Sequence, residues 1–289
     1  MRHVNQWAIG NVTVHKIDET QFSSRIGAWL LPDVDPDDIS DSRHRTPGGG
    51  IASGTHSFAL VSEGLKILVD TGIGNDKPRA NPAWDHLDTP YLDRLTEAGF
   101  SPGTVDLVLL THLHADHVGW NTVLRSGRWE ATFPQAEYVM NRAERDYWKN
   151  AALEPSRAAM IGDSIEPLEA LGLLSLPDVP PDGLDITPEV RLIPTPGHTP
   201  GHLSVLIQSD GFQALISGDA LHHSIQVERP EINASVDIDG SQARSTRLDL
   251  LRWAAKDHLL LLGSHFPSPA GGYVETEGST FRFRPVGNG

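Results

Sequence analysis

The chain has 289 residues, no cysteine, 14 histidines and a formal net charge of -15 at pH 7. The missing cysteines exclude disulfides, thiolate zinc sites, iron–sulfur clusters and cysteine nucleophiles, and an acidic surface repels phosphate backbones, which argues against a nucleic-acid partner. No run of 18 apolar residues reads as a membrane span, and the opening MRHVNQWAIGNV lacks the apolar stretch of a secretion signal, so the expected compartment is the cytoplasm.

In chain order, residues 12–17 read as a strand. So do 57–61 and 66–69, joined by the hairpin loop Ser62-Glu63-Gly64-Leu65. Phe22, Ile26, Trp29, Leu30 and Leu31 are apolar in an otherwise polar stretch. They read either as a helix packed on the core or as a partner or substrate surface. Residues 33–50, rich in Asp, Pro and Gly, form a long connection of the kind that is functional or mobile. Helical spacing follows over 90–98, with Gly99 as the stop, and residues 105–110 (VDLVLL) form an apolar run of buried-strand type. Residues 141–153 and 165–171 read as helices, and 190–193, 203–208 and 213–217 as strands. Residues 241–258 form an amphipathic helix with Leu248, Leu251 and Ala255 on one face, followed by a strand at 259–262. Strands alternate with helices in both halves and no linker divides them, which predicts one α/β domain over residues 1–289.

The densest chemistry lies in Thr111-His112-Leu113-His114-Ala115-Asp116-His117, directly after the apolar run. Loops leaving the carboxyl ends of strands are where α/β folds place their sites. In extended backbone His112 and His114 point to one side, whereas Asp116 and His117 point apart, so one loop can serve two cations. The pattern of apolar strand, small residue and ligand type then recurs. His198 lies in the turn Pro194-Thr195-Pro196-Gly197-His198, Asp219 follows Ser217-Gly218, and His265 follows Gly263-Ser264. Five histidines and two aspartates suffice for two metals, one carboxylate bridging. Two-metal sites with ions about 3.5–4 Å apart generate a hydroxide and hold both reacting oxygens.

His112-x-His114-x-Asp116-His117, with His198, Asp219 and His265 downstream, resembles the metallo-β-lactamase-fold hydrolases over nearly the whole chain. The resemblance implies an α/β fold of four layers, an αβ/βα sandwich of two mixed sheets with helices outside and metals at one edge. It also implies a ligand set. His112, His114 and His198 would hold one divalent ion, Asp116, His117 and His265 the other, and Asp219 would bridge them. Nitrogen and oxygen donors suit zinc first, with cobalt, manganese or iron as alternatives.

Within that superfamily, the best-known β-lactamases carry a cysteine where Asp219 stands, and this chain has none. Glyoxalase II-like thioesterases add a helical C-terminal domain, and few residues follow His265 here. Nucleases of this fold need basic surfaces. The segments LVDTGIGNDK over 68–77, DHVGWN over 116–121 and His265-Phe266-Pro267 resemble the branch of N-acyl-homoserine lactonases and methyl parathion hydrolase-like enzymes. The resemblance therefore implies a metal-bridging hydroxide that opens a lactone, with Asp116 and His222 managing protons. Organophosphate triester or aryl-ester hydrolysis is the alternative, β-lactam hydrolysis a lesser one, and a di-iron redox or sensor protein a different class. The familiar lactonases place a tyrosine three residues after the bridging aspartate. Here that position is His222, followed by His223, and either ring is a candidate to face the substrate.

The remaining expectations concern neighbours of the site. Asp70 is expected to orient a ligand histidine from behind, and His202 to support the site or the fold rather than ligate. Phe22, Trp29, Leu30, Ile73, Trp120, His223 and Phe266 are candidate walls of the substrate pocket, with Trp120 open to a packing role instead. The expected partners are a small-molecule substrate and a second copy of the chain, through Trp29, Leu30 and Leu31.

Overall fold

Period-two alternation of apolar residues builds two sheets that share one core. The computed structural model describes residues 6–286 apart from residues 36, 38, 40–44 and 47–48, so His3, His44 and parts of the 33–50 connection lie outside the described residues. The first half runs β1 (Gln6–Ile9), β2 (Val12–Gln21), α1 (Ser24–Leu30), β3 (Gly54–Ser62), β4 (Leu65–Val69), α2 (Tyr91–Glu97), β5 (Leu107–Leu109), β6 (Thr122–Arg125), β7 (Arg128–Ala131), β8 (Glu137–Val139), α3 (Arg142–Asn150), α4 (Pro155–Ser164), α5 (Glu166–Leu171) and β9 (Leu174–Ser175). The second half runs β10 (Leu184–Thr187), β11 (Val190–Pro194), β12 (Leu203–Ser209), β13 (Phe212–Ile216), α6 (Ile225–Glu228), α7 (Gly240–Asp257), β14 (Leu260–Leu262), β15 (Gly271–Glu277) and β16 (Thr280–Pro285).

One sheet has the order β1-β2-β3-β4-β5-β8-β9 and the other β10-β11-β12-β13-β14-β15-β16, with β6 and β7 as a separate hairpin. Both sheets are mixed. The first sheet is antiparallel from β1 to β4 and parallel from β4 through β5 and β8 to β9, whereas in the second only β13 and β14 pair parallel. The inter-sheet core takes alternate residues of each strand. Ile67 and Val69 of β4 pack with Val205 and Ile216 of the other sheet, whereas Leu68 turns outward to Leu95 of α2 and Ile161 of α4. On the far side, Leu250, Leu251 and Ala254 of α7 pack onto the second sheet. The layers are therefore helix, sheet, sheet, helix, the α/β sandwich of the metallo-β-lactamase type.

The β3–β4 hairpin closes tighter than its four-residue signature. Ser62 pairs with Leu65, leaving Glu63 and Gly64 at φ of 50° and 81° as a two-residue turn. Left-handed backbone at both positions matches the twist of the flanking strands. The predicted helix at 141–153 stops at Asn150, and a second helix, α4, starts at Pro155. Proline fits a first helical position and disfavours helix in the residue before it. Residues 22–31 serve both readings: α1 packs on the core, and its segment also lines a cavity. Leu30 and Leu31 bury against Ile225 and Ile232, while Trp29 stays 54% exposed. The expected dimer surface of Trp29, Leu30 and Leu31 is corrected accordingly, since only Trp29 of the three is free to meet a partner.

Candidate metal centre and its cavity

Two parallel pairs bring the motif loops to one edge. β4 and β5 end side by side, so Asp70 and the 111–117 loop leave together; β13 and β14 likewise deliver Asp219 and His265. His112, His114, His198 and Asp219 each present a donor atom within 4.8 Å of the others, and Asp116, His117 and His265 form a second such group. The Asp219 carboxylate sits between them. Its Oδ2 lies 3.4 Å from His198 Nε2 and 3.3 Å from His117 Nε2, and its Oδ1 lies 3.1 Å from His265 Nε2. Asp116 and His117 do not point apart as extended backbone would require. A turn, closed by the His117 N–H donating to the His114 carbonyl at 3.0 Å, brings both into the second group.

The outward nitrogen of four rings is anchored. His117 Nδ1–H donates to Asp70 Oδ2 at 2.8 Å, His198 Nδ1–H to Asp237 Oδ1 at 2.9 Å, and His265 Nδ1–H to the Gly54 carbonyl at 2.8 Å. The Thr111 hydroxyl donates to Asp70 Oδ2 at 2.8 Å, so its oxygen accepts from His112 Nδ1–H at 3.0 Å. Anchoring at Nδ1 leaves Nε2 as a lone pair aimed inward. These lone pairs meet: His198 Nε2 lies 3.2 Å from His112 Nε2 and 3.0 Å from His114 Nδ1, and His117 Nε2 lies 3.1 Å from His265 Nε2. Converging imidazole lone pairs and carboxylates, all buried except the half-buried Asp116, are a donor set that fits divalent cations.

The electrostatics divide the rings. Burial drives His112 and His114 well below the ordinary histidine value, so both rings are neutral, as ligation requires. Burial also opposes charge on His117, but Asp219, Asp70 and Asp116 outweigh it and hold that ring well above its ordinary value. Burial pushes Asp219 up, yet His117, His265 and His222 keep its carboxyl ionised.

His202 lies outside this set. Its Nε2 accepts the backbone N–H of Asp219 at 2.9 Å and its Nδ1–H donates to Thr195 Oγ1 at 2.8 Å, while burial pushes it down to about 3. It holds the backbone of the bridging aspartate instead. Gly218 must be glycine here, because its φ is 52° and a Cβ would come within 2.7 Å of His202 Nε2.

His222 and His223 separate cleanly. His222 lies 3.2 Å from Asp219 Oδ2, faces the cavity, and is lowered by burial against the pull of Asp219. His223 turns into its own backbone, where Nδ1 accepts the Ile225 N–H at 3.0 Å.

Above the metal-facing groups opens a cavity of about 360 Å³. Phe22, Trp29 and Leu30 line it as expected, joined by Ile26, Trp84 and Met160. The other expected walls are core residues and do not line it. Trp120 stacks on Tyr91 and donates its indole N–H to Glu19, Phe266 packs edge-on against Phe283, and Ile73 is fully buried beneath Phe22 and Ile26. Sequence reading also missed three buried acids. Asp237 braces His198, Glu144 accepts from Leu113 N–H between the two ligand histidines, and Glu19 accepts the Ile73 and Gly74 N–H groups. None belongs to a motif, and each meets the site from a distant part of the chain.

The metallo-beta-lactamase superfamily model matches residues 50–265, most of the chain and every residue of the two candidate ligand groups. The chain belongs to the metallo-beta-lactamase superfamily. An N-acyl homoserine lactonase of a Bacillus species is 25% identical over 177 residues, 57% of this chain and 62% of the relative. N-acyl homoserine lactonase AttM of Rhizobium radiobacter is 32% identical over 139 residues, 46% of this chain and 48% of the relative. The chain thus matches less than two thirds of the length of these lactonases. Among solved structures, hydrolase AbOPH of the beta lactamase superfamily superposes with a TM-score of 0.79 at 25% identity, over 99% of this chain and 98% of that one. AidC, a dizinc quorum-quenching lactonase, superposes with a TM-score of 0.78 at 21% identity, over 99% of both chains, and supports the superfamily fold. Among the described residues, no helix is long and apolar enough to cross a membrane.

Proposed function

We propose that this superfamily member is a dinuclear metallohydrolase that opens a lactone with an apolar tail, such as an N-acyl homoserine lactone. The observation that carries the reading is the Asp219 carboxylate, whose two oxygens face two ligand groups at the floor of an apolar-walled cavity. Zinc is the first proposed metal, with cobalt, manganese or iron as alternatives that the same imidazole and carboxylate donors suit. Two divalent cations, when bound, supply a nucleophilic hydroxide at neutral pH and a Lewis acid for the carbonyl oxygen.

The chain's own residues do the rest. Asp116 lines the cavity with its Oδ2 3.6 Å from His265 Nε2, placed to take and return the proton that the leaving alkoxide needs. His222 is neutral because burial lowers it, so it carries one N–H for the oxygen on which charge develops. Phe22, Leu30, Trp84 and Met160 accept an apolar tail and exclude water from it.

One observation favours a second reading. His222 stands where the resembling lactonases carry tyrosine, which keeps phosphotriester or aryl-ester hydrolysis as the alternative. The deciding experiment is a hydrolysis panel of lactones, phosphotriesters, aryl esters and β-lactams on metal-analysed protein. Lactone turnover at least ten times that of the other classes is the expected result, and no lactone turnover would end the lactone reading. A homodimer is proposed through Trp29. Light scattering at monomer mass, unchanged in Trp29→Ala, would remove it.

A further inference from the structure

Asn75-Asp76-Lys77 is part of the segment that resembles the lactonase branch, yet it takes no part in the metal centre. Lys77 is fully buried. Its Nζ donates to Thr122 Oγ1 at 2.5 Å and to the Asp163 carbonyl at 3.1 Å, lies 3.3 Å from Asp163 Oδ1, and sits 3.7 Å from the centre of the Trp129 ring. Two residues on, Arg79 grips the same carboxylate with both prongs, Nη1 to Oδ2 at 2.6 Å and Nη2 to Oδ1 at 3.0 Å. One buried carboxylate therefore answers two buried cations. Burial pulls Lys77 down to about 7, and Asp163 opposes that pull.

The cluster joins two walls of the cavity. Arg79, Asn81 and Trp84 line it from the connection between β4 and α2, and Arg157 and Met160 line it from α4, near whose end Asp163 sits. Residues 70–90 contain no helix or strand, and the backbone bonds from Asp76 N–H to the Leu87 carbonyl and from His86 N–H to the Lys77 carbonyl close this wall on itself without tying it to α4. A buried charge left without its partner is strongly unfavourable, which makes the cluster a latch between the two segments.

We propose that Asp163, gripped by Lys77 and Arg79, is a positioning residue that sets the separation of the two cavity walls and thereby the length of tail the site accepts. The tail-length part rests on the lactone reading; the latch itself rests only on the geometry.

The test is Asp163→Asn in metal-loaded protein, with two readouts. Hydrogen exchange should rise in residues 75–87 and 155–164 while both sheets and the metal content stay unchanged. The KM for N-decanoyl homoserine lactone should rise about tenfold, with the KM for the N-butanoyl compound and both kcat values changing by less than about twofold. Lys77→Met, which keeps the Arg79–Asp163 pair, should give a smaller rise in the same segments, and it carries the test if Asp163→Asn does not fold. Exchange rising equally through both sheets, or nowhere, overturns the latch, and so does an equal change in both KM values. If the wild type opens neither lactone, the lactone reading fails and the exchange pattern alone decides the latch.

Discussion

His198 and Asp237 are joined by an Nδ1–H···Oδ1 bond of 2.9 Å across 39 residues of sequence. The bond leaves His198 Nε2 facing the other ligand-type groups, 3.2 Å from His112 Nε2. Asp237 is held in turn by the Ala234 N–H at 2.9 Å and by Arg247, 3.5 Å away. Asp237→Ala should weaken metal binding about 10- to 100-fold, read by chelator competition. Asp237→Asn keeps an acceptor oxygen and should lose much less. Equal losses in the two variants would mean that the negative charge, not the orientation, matters.

Asp219 and His202 should behave oppositely although they touch. Elemental analysis of the wild type should approach two metals per chain. Asp219→Ala should empty the site and abolish most activity. His202→Ala removes only the acceptor of the Asp219 N–H, so both metals should remain while thermal stability falls by about 1–3 kcal/mol for the unpaired buried group. Loss of metal in His202→Ala would move that residue into the ligand set.

His222 and His223 make the sharpest pair. Only His222 faces the cavity. His222→Ala should lower kcat by about 10²–10³ with metal content constant, as for removal of one oxyanion donor. His222→Tyr should recover part of that loss if the ring donates a hydrogen bond. His223→Ala should leave kcat near wild type and act on stability. Steady-state kinetics on metal-analysed variants checks all three.

Glu19 predicts a pH effect. Burial raises its carboxyl to about 7 from an ordinary value of 4.5, against hydrogen bonds from Ile73, Gly74 and Trp120. A carboxyl raised in the folded state binds more protons there than when unfolded, so stability falls as pH rises from about 4.5 to about 7 and is level above that. The drop should be about 3 kcal/mol. Glu19→Gln cannot titrate, so urea unfolding across this range should lose that slope. An unchanged slope in the variant would assign the effect elsewhere.

The sequence by itself determined which residues converge in the two candidate ligand groups, because the loops that carry them follow apolar strands and such strands announce themselves locally. His112, His114, Asp116, His117, His198, Asp219 and His265 were all legible that way, and so was the layered α/β class. What only the tertiary structure decided were the contacts between segments far apart in sequence. Asp237 behind His198, Glu144 behind Leu113 and Asp163 between Lys77 and Arg79 are lone acids with no local pattern, and burial beside a distant partner is what gives them a role. The cavity walls misled for the same reason. Trp120, Ile73 and Phe266 are as apolar as Phe22 and Trp84, and composition cannot tell a wall from a core residue. The choice depends on which sheet face each side chain meets, and that follows from packing the two sheets together, not from any one strand.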